Sequence, residues 1–460
     1  MDLCSRQFNF FVEASTLLYC LTLFTFVVVG LFLFVQSVYS FFEKQKIPRG
    51  PLPSPPFGNL KDVIFKRVNV NIHLWKYYNR FRRKKYWFGG LYILFKPLVM
   101  ILDPYLVYTV LTDNNHFEDI DDDISEENAS AIYDDAILVE FLKKYDALED
   151  KFLNTIDSAT SIYDFYVKAS THLIGISPLE FSTLEKKDHP RHQSTFSYYL
   201  SLSYPQLCQT FNINSNYGNT GLTNLLRKEL ERRKKNDIRK TDLLNNVSNA
   251  NELNTDAYIK HISEFFFDSL EFGQSLTQFC LYELCENEDT QQELIGELRR
   301  FRKDNDVITR DNIAKLTLLD AIIKETLRKY PPHASIIRRC HKDYKNEKYR
   351  LNLLKECLTV VSVFGIHHDQ LNFPNPEQFD PDRFYVENEK YMKSYSFIPF
   401  GVGAKSTIGM KFIVLQLKLC ILSILSRYKV TLKSSSNLVY DPKKLTISPS
   451  SPLIFHFELL

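Results

Sequence analysis

Along the chain the apolar positions form one unbroken run, several stretches of helical period and a few short alternating segments. From Thr16 to Val38 the chain is almost wholly apolar and uncharged, matching the ~20 residues a helix needs to cross a hydrocarbon core. The run exceeds the ~7–15-residue apolar region of a cleaved signal, and no small-residue cleavage site follows it. Residues 16–38 therefore predict a retained span, with 1–15 on its lumenal side. Ile47 to Asn59 holds five prolines. Each fixes φ and removes a donor, so 39–60 reads as a stiff hinge, and 61–460 as one large body.

Within that body, His73 to Arg82 predicts a basic helix, Trp87 to Asp103 a small sheet, and Pro104 opens a helix to about Thr112. Glu118 to Glu127 is acidic and reads as loop, and from Ala129 the period is mainly helical. Tyr258 to Leu284 predicts a long helix and Thr290 to Lys303 a charged surface helix. Thr309 is placed to cap the next stretch, and Leu316 to Tyr330 is amphipathic and stops at Pro331-Pro332. Short β-like runs occupy Arg350 to Val363, and a proline-rich loop Phe373 to Phe384. A glycine-containing loop from Phe397 to Gly409 opens a final helix to about Tyr428, and the tail alternates like a hairpin. The expected class is mostly α with a minor β part.

Composition adds bounds. A net charge of +2 implies no polyelectrolyte partner, and the basic runs at Arg82–Lys85 and Arg232–Lys235 read as solvated faces rather than a nucleic-acid site. The 8 cysteines are scattered without a CxxC pair, as free thiols in a reducing compartment would be. Glu43, Lys44, Lys46 and Arg49 follow the apolar run, against Arg6 alone before it, which places the body in the cytosol.

Four motifs point further. Glu325 and Arg328 stand at i and i+3 in Lys324-Glu325-Thr326-Leu327-Arg328, on one helix face. The Arg fork can hold a third group besides the Glu. Downstream come His367-His368-Asp369, then Phe379-Asp380-Pro381-Asp382-Arg383-Phe384, then Phe397-Ile398-Pro399-Phe400-Gly401-Val402-Gly403. Upstream, Asp268-Ser269-Leu270-Glu271-Phe272-Gly273 precedes Tyr282-Glu283-Leu284. In this order and spacing the chain resembles the cytochrome P-450 family, microsomal type, over nearly its whole length. The resemblance implies the family's fold behind one transmembrane helix, a Glu325–Arg328–Arg383 structural triad, and haem b held by Phe400, Gly403, Lys405, Gly409 and Arg338. Its activity would be transfer of one oxygen atom from O2 to a lipophilic substrate, with electrons from NADPH-cytochrome reductase. His367 and His368 read as loop or surface residues.

The chain departs from the family where the haem should be. The loop Phe-x-x-Gly-x-Arg-x-Cys-x-Gly reads Phe400-Gly401-Val402-Gly403-Ala404-Lys405-Ser406-Thr407-Ile408-Gly409. Thr407 takes the place of the cysteine whose thiolate holds the iron and promotes O–O cleavage. A threonine hydroxyl is a far weaker acid than a thiol at ~8.5 and supplies no comparable charge. Cys420 follows about three turns along the next helix, out of reach. On the oxygen-activating helix Glu271 matches the family's acid, but Phe272 replaces its threonine, and Asp268 puts a charge at a small-residue site. The Trp-x-x-x-Arg helix has no counterpart, since the tryptophans are Trp75 and Trp87 and no arginine lies between Arg83 and Arg191. The expectation is a pseudoenzyme of the endoplasmic reticulum membrane whose pocket can still hold an apolar ligand. The alternative is a divergent, active haem monooxygenase.

Overall fold

The computed structural model describes residues 2–119, 135–154, 156, 159–185, 195–210, 220–248, 255–390, 392–402, 409–433 and 438–460. Thr407, Gly403, Lys405 and most of the acidic segment after Glu118 lie outside them. Helices dominate. The first, α1 (Asp2–Tyr39), contains a 22-residue stretch, Leu18–Tyr39, that is long and apolar enough to span a bilayer and is exposed over most of its length. At its end it meets the body: the Tyr39 hydroxyl donates to the Leu94 carbonyl at 3.1 Å, and Phe34 sits edge-on to Phe95 at 5.7 Å.

The prolines that follow are not a free hinge. Gly90 ties this segment down by two backbone bonds: Gly50 N–H donates to Gly90 O, and Gly90 N–H donates to Pro48 O. Asn59 is bonded both ways with Tyr92. The physical reason is that the segment's few non-proline residues still donate, and the edge of a strand accepts them. That strand is β1 (Phe88–Ile93), paired with β2 (Lys96–Ile101) as the predicted hairpin.

The sheet is larger than the hydrophobic pattern suggests. It runs β1-β2-β7-β4-β3, with β3 at Phe117–Asp119, β4 at Ile336–Cys340 and β7 at Leu358–Val361. Only β2–β7 is parallel. β3 is too short, and its sequence Phe-Glu-Asp too polar, to be read as a strand. It exists because β4 offers it an edge, with Asp119 opposite Arg338. Two-stranded ribbons join β5 (Tyr344–Asn346) to β6 (Leu351–Leu353), and β8 (Tyr428–Leu432) to β9 (Phe455–Leu459), the latter being the predicted tail hairpin.

Further helices that frame the core are α2 (Val70–Arg83), α3 (Pro104–Thr112), α4 (Ala159–Ile174), α5 (Thr220–Asn236), α6 (Thr255–Glu286), α7 (Glu288–Asp304), α8 (Thr317–Lys329), α9 (Val363–His367) and α10 (Met410–Leu425). Asp103 caps α3 by accepting from Leu106 N at 3.1 Å, behind the predicted Pro104. Thr309 forms the expected cap, in a capping box with Asn312. The main core lies where α4, α6, α8 and α10 converge, and a second core fills the space over the sheet. The long α6 passes through the middle of the first, and its two ends and flanks set the candidate site.

Candidate functional site

The structural triad is assembled. Arg328 forks onto Glu325, Nε to Oε2 at 2.7 Å and Nη2 to Oε1 at 2.9 Å, with neither side chain exposed. Arg383 approaches Glu325 to 3.6 Å, and Asp380 N–H donates to the same carboxylate at 2.9 Å. Arg328 also donates to the carbonyls of His367 at 3.0 Å and Pro376 at 2.8 Å. Burial pushes the Glu325 carboxyl up, against the pull of Arg328. One ion cluster thus ties α8 to two loops.

The histidines beside this cluster are not loop or surface residues. His367 has no exposed area and His368 retains 7%. His367 Nδ1 lies 3.0 Å from Arg328 O, while its Nε2 receives the Ile398 N–H at 2.9 Å. This fixes the neutral tautomer with Nδ1–H donating, and burial lowers the imidazole to about 3. His367 therefore carries the triad's position to the first turn of the Phe397–Gly409 loop, where Phe397 stacks on its ring at 5.6 Å. The loop then bends through Gly401 at φ +85°, a conformation that favours glycine, and Phe400 is buried at its start. Asp369 completes the segment by accepting from Tyr78 at 2.9 Å and Arg82 at 2.7 Å. Sequence reading gave no role to His367 because its partners lie 31 and 39 residues away and follow no period.

On α6, Phe265, Asp268 and Phe272 fall at i, i+3 and i+7, one face of the helix. That face meets the final helix directly. A Cβ on Gly409 would overlap the Phe265 ring, which also stands edge-on to Phe412 at 5.9 Å. Phe272 is buried and edge-on to His333 at 5.1 Å. The Asp268 carboxyl is raised to about 8 by burial first, then by the negative charges of Glu271 and Glu264. Glu271 points elsewhere: it accepts from Thr446 Oγ1 at 2.6 Å and lies 3.6 Å from Lys444 Nζ, both in the tail.

Arg338, expected at a haem propionate, spends its guanidinium on protein carbonyls. It donates to Val110 O at 3.0 Å, Leu111 O at 2.9 Å and Phe117 O at 2.9 Å, and to Asn114 Oδ1 at 3.1 Å. Val110 O and Leu111 O are orphan acceptors of the last turn of α3, while Asn114 and Phe117 follow the helix, so Arg338 ties the end of α3 to β3. Trp75 packs edge-on to Phe364 at 5.7 Å, and Trp87 is largely exposed. Cys420 is fully buried and bonded to Thr277. Thr277 lies twelve residues beyond Phe265, ~18 Å along the axis at ~1.5 Å per residue, far from the Gly409 contact. Among the described residues no three metal-ligating side chains gather.

Comparison with known proteins agrees with this architecture. The chain is 26% identical to cytochrome P450 6B1 of Papilio polyxenes, over 94% of its own length and 98% of that protein's. It is 24% identical to cytochrome P450 6j1 of Blattella germanica over 95% and 97%. Against the probable cytochrome P450 6a13 of Drosophila melanogaster it reaches 30%, over about half of each chain. The profile described as Cytochrome P450 matches residues 141–457, from the α4 region through α6, the triad and the tail hairpin, and the chain belongs to that family, whose cofactor is haem b.

Proposed function

We propose that this protein keeps the cytochrome P450 scaffold without its oxygen chemistry. It is anchored by α1 in the endoplasmic reticulum membrane, presents its body to the cytosol, and binds an apolar small molecule instead of oxidising one. The observation that carries this reading is Thr407 at the position of the thiolate ligand: a neutral hydroxyl holds iron weakly and donates little charge to it. Three features of the described residues support it. Phe265 on the oxygen-activating helix packs directly against Gly409 at the end of the loop that would carry the haem ligand. The Asp268 carboxyl stands on the face of α6 that would lie against that ring, where a charge without a partner is costly. The terminal guanidinium nitrogens of Arg338 donate to the end of α3 and to Phe117. The set does not fit haem b. Without haem there is no electron acceptor, so NADPH-cytochrome reductase is not an expected partner.

The test is spectroscopic. Full-length protein in detergent, supplied with haem, reduced and exposed to carbon monoxide, should show no thiolate-type Soret band; such a band overturns the reading. The double variant Thr407→Cys with Phe272→Thr should regain measurable haem absorbance. If it stays colourless, the defect extends to the missing Trp-x-x-x-Arg helix. Orientation is read from the sequons at Asn128 and Asn246, which stay unglycosylated in a cytosolic body.

A further inference from the structure

A cleft of about 630 Å³ opens where the end of α4, the helix Asp135–Lys143, the last turns of α5 and the loop 237–242 meet. None of its lining residues lies on α6 or in the Phe397–Gly409 loop, so it is separate from the site described above. Behind it sits a buried ion cluster. Arg233, part of a basic run that reads as a solvated face in the sequence, is 2% exposed. Its guanidinium forks onto Asp242, Nη1 to Oδ1 at 2.7 Å and Nη2 to Oδ2 at 3.0 Å, and also donates to Glu229 at 2.9 Å and to Gly175 O at 2.7 Å. A Cβ on Gly175 would overlap the Asp242 carboxylate. The end of α4, the end of α5 and the loop 237–242 are thereby locked to one another, and the cleft between them is preformed.

The acids that line it are already answered. Glu229 accepts from Arg232 at 2.7 and 2.8 Å as well as from Arg233, and these bonds pull its carboxyl down to about 2. Asp242 holds Arg233. Glu140 is shared by Lys143 at 3.3 Å and Lys144 at 3.2 Å, and Glu180 accepts the Ser177 N–H at 3.3 Å. The donors are not answered. Lys240 comes no nearer to an acid than 3.9 Å, and Arg239 no nearer than 3.7 Å, both beyond hydrogen-bond reach. The His172 imidazole is tilted against the Phe141 ring at 6.4 Å and makes no hydrogen bond among the described residues. Burial lowers it; the charges of Lys144 and Lys240 add to this, and those of Asp242 and Glu140 oppose it. It is therefore neutral at pH 7, with one N–H to give. Two lysines from different walls thus converge on one neutral imidazole.

A ligand that completes this cleft brings acceptors and negative charge. Among the lining residues Ile176 alone is apolar, so a hydrocarbon body finds nothing to bury against. A phosphate group offers several charged oxygens at once, which suits lysine point charges and an arginine fork. We propose that the cleft is a binding site for a phosphate group, free or carried by a small polar molecule, held by Arg239 and Lys240 on one side and Lys144 on the other, with His172 sharing a hydrogen bond. The inference does not depend on whether haem binds elsewhere in the chain.

The experiment is calorimetric titration of the full chain with inorganic phosphate and with glucose 6-phosphate, at an ionic strength held constant with sodium chloride. Saturable binding to one site per chain is expected, and the tighter of the two ligands tells a free ion from an ester. Lys240→Ala and Lys144→Ala should each weaken that binding about tenfold, the loss of one charge-assisted hydrogen bond. Their melting temperatures without ligand should match the wild type, because both side chains are exposed. Lys234→Ala, exposed on the same helix but outside the cleft, should change affinity less than about twofold, as a distant screened charge does. No saturable binding of either ligand, binding untouched by Lys240→Ala and Lys144→Ala, or an equal loss in Lys234→Ala overturns the proposal.

Discussion

Two carboxylates beside the main core, Glu325 and Asp268, meet opposite fates, the first wholly buried and the second keeping part of its surface accessible. Glu325 has no exposed area, yet each oxygen is answered, by the Arg328 fork, the Asp380 N–H and Arg383. Asp268 is flanked by two further acids and two aromatic rings, and nothing among the described residues answers it. The first is scaffold, because the fold provides its counter-charges. The second has no counter-charge among the described residues, and its carboxyl holds its proton up to about 8 instead. Burial alone does not separate structural from functional acids; the presence of partners does.

The comparison breaks most visibly at the scaffold end. Arg328→Ala leaves the buried Glu325 without its bidentate partner, with only the Asp380 N–H and Arg383 at 3.6 Å beside it, and should cost about 3–5 kcal/mol, seen as a markedly lower melting temperature; a variant that melts like the wild type would remove the distinction. The contact between α6 and α10 gives a smaller effect. Gly409→Ala forces its new methyl into the Phe265 ring and should cost about 1–3 kcal/mol by overpacking, with much of this recovered in Gly409→Ala/Phe265→Ala. Full stability of the single variant would mean that α6 and α10 are not closed there.

The smallest and most diagnostic effect belongs to Asp268. Its folded value of about 8 lies above an unfolded value near 4. Stability from the bound proton is therefore complete below pH ~4 and is lost as pH rises through about 8. Asp268→Asn removes this loss. The variant should match the wild type at pH 4 and exceed it by roughly 1–2 kcal/mol at pH 9, allowing for relaxation around the charge. Parallel melting curves at both pH values would show that Asp268 is solvated and the contrast with Glu325 unfounded.

How much of this could be read in the sequence depended on distance along the chain. Glu325 and Arg328 share a helix face at i and i+3, and Arg383 follows in a motif of its own, so the triad was legible. The helices of strong period, α6, α7, α8 and α10, appeared within a few residues of their predicted ends. His367 was not legible. It is a single residue in a turn, and its two bonds reach Arg328 and Ile398 across the chain. The tie from Glu271 to Thr446 spans 175 residues, and no local pattern encodes it. Arg338 matched a motif position, but its partners at the end of α3 lie more than 220 residues away. β3 exists only through its pairing with β4. A periodic signal reports which face an element buries; which polar atoms meet across that face is decided by the assembled core.

The junction at Tyr39 has a mechanical consequence. A span joined to its body by a slack tether lets the body tumble and sample every attitude above the lipid surface. Here the end of α1 is locked to the turn between β1 and β2 through Tyr39 and Phe34, and the prolines that follow are stitched to β1. The rod and the body therefore turn together. Were α1 to cross a bilayer, its tilt would set how high the sheet stands over the headgroups, and an apolar rod of another length would swing the whole molecule rather than merely stretch its leash.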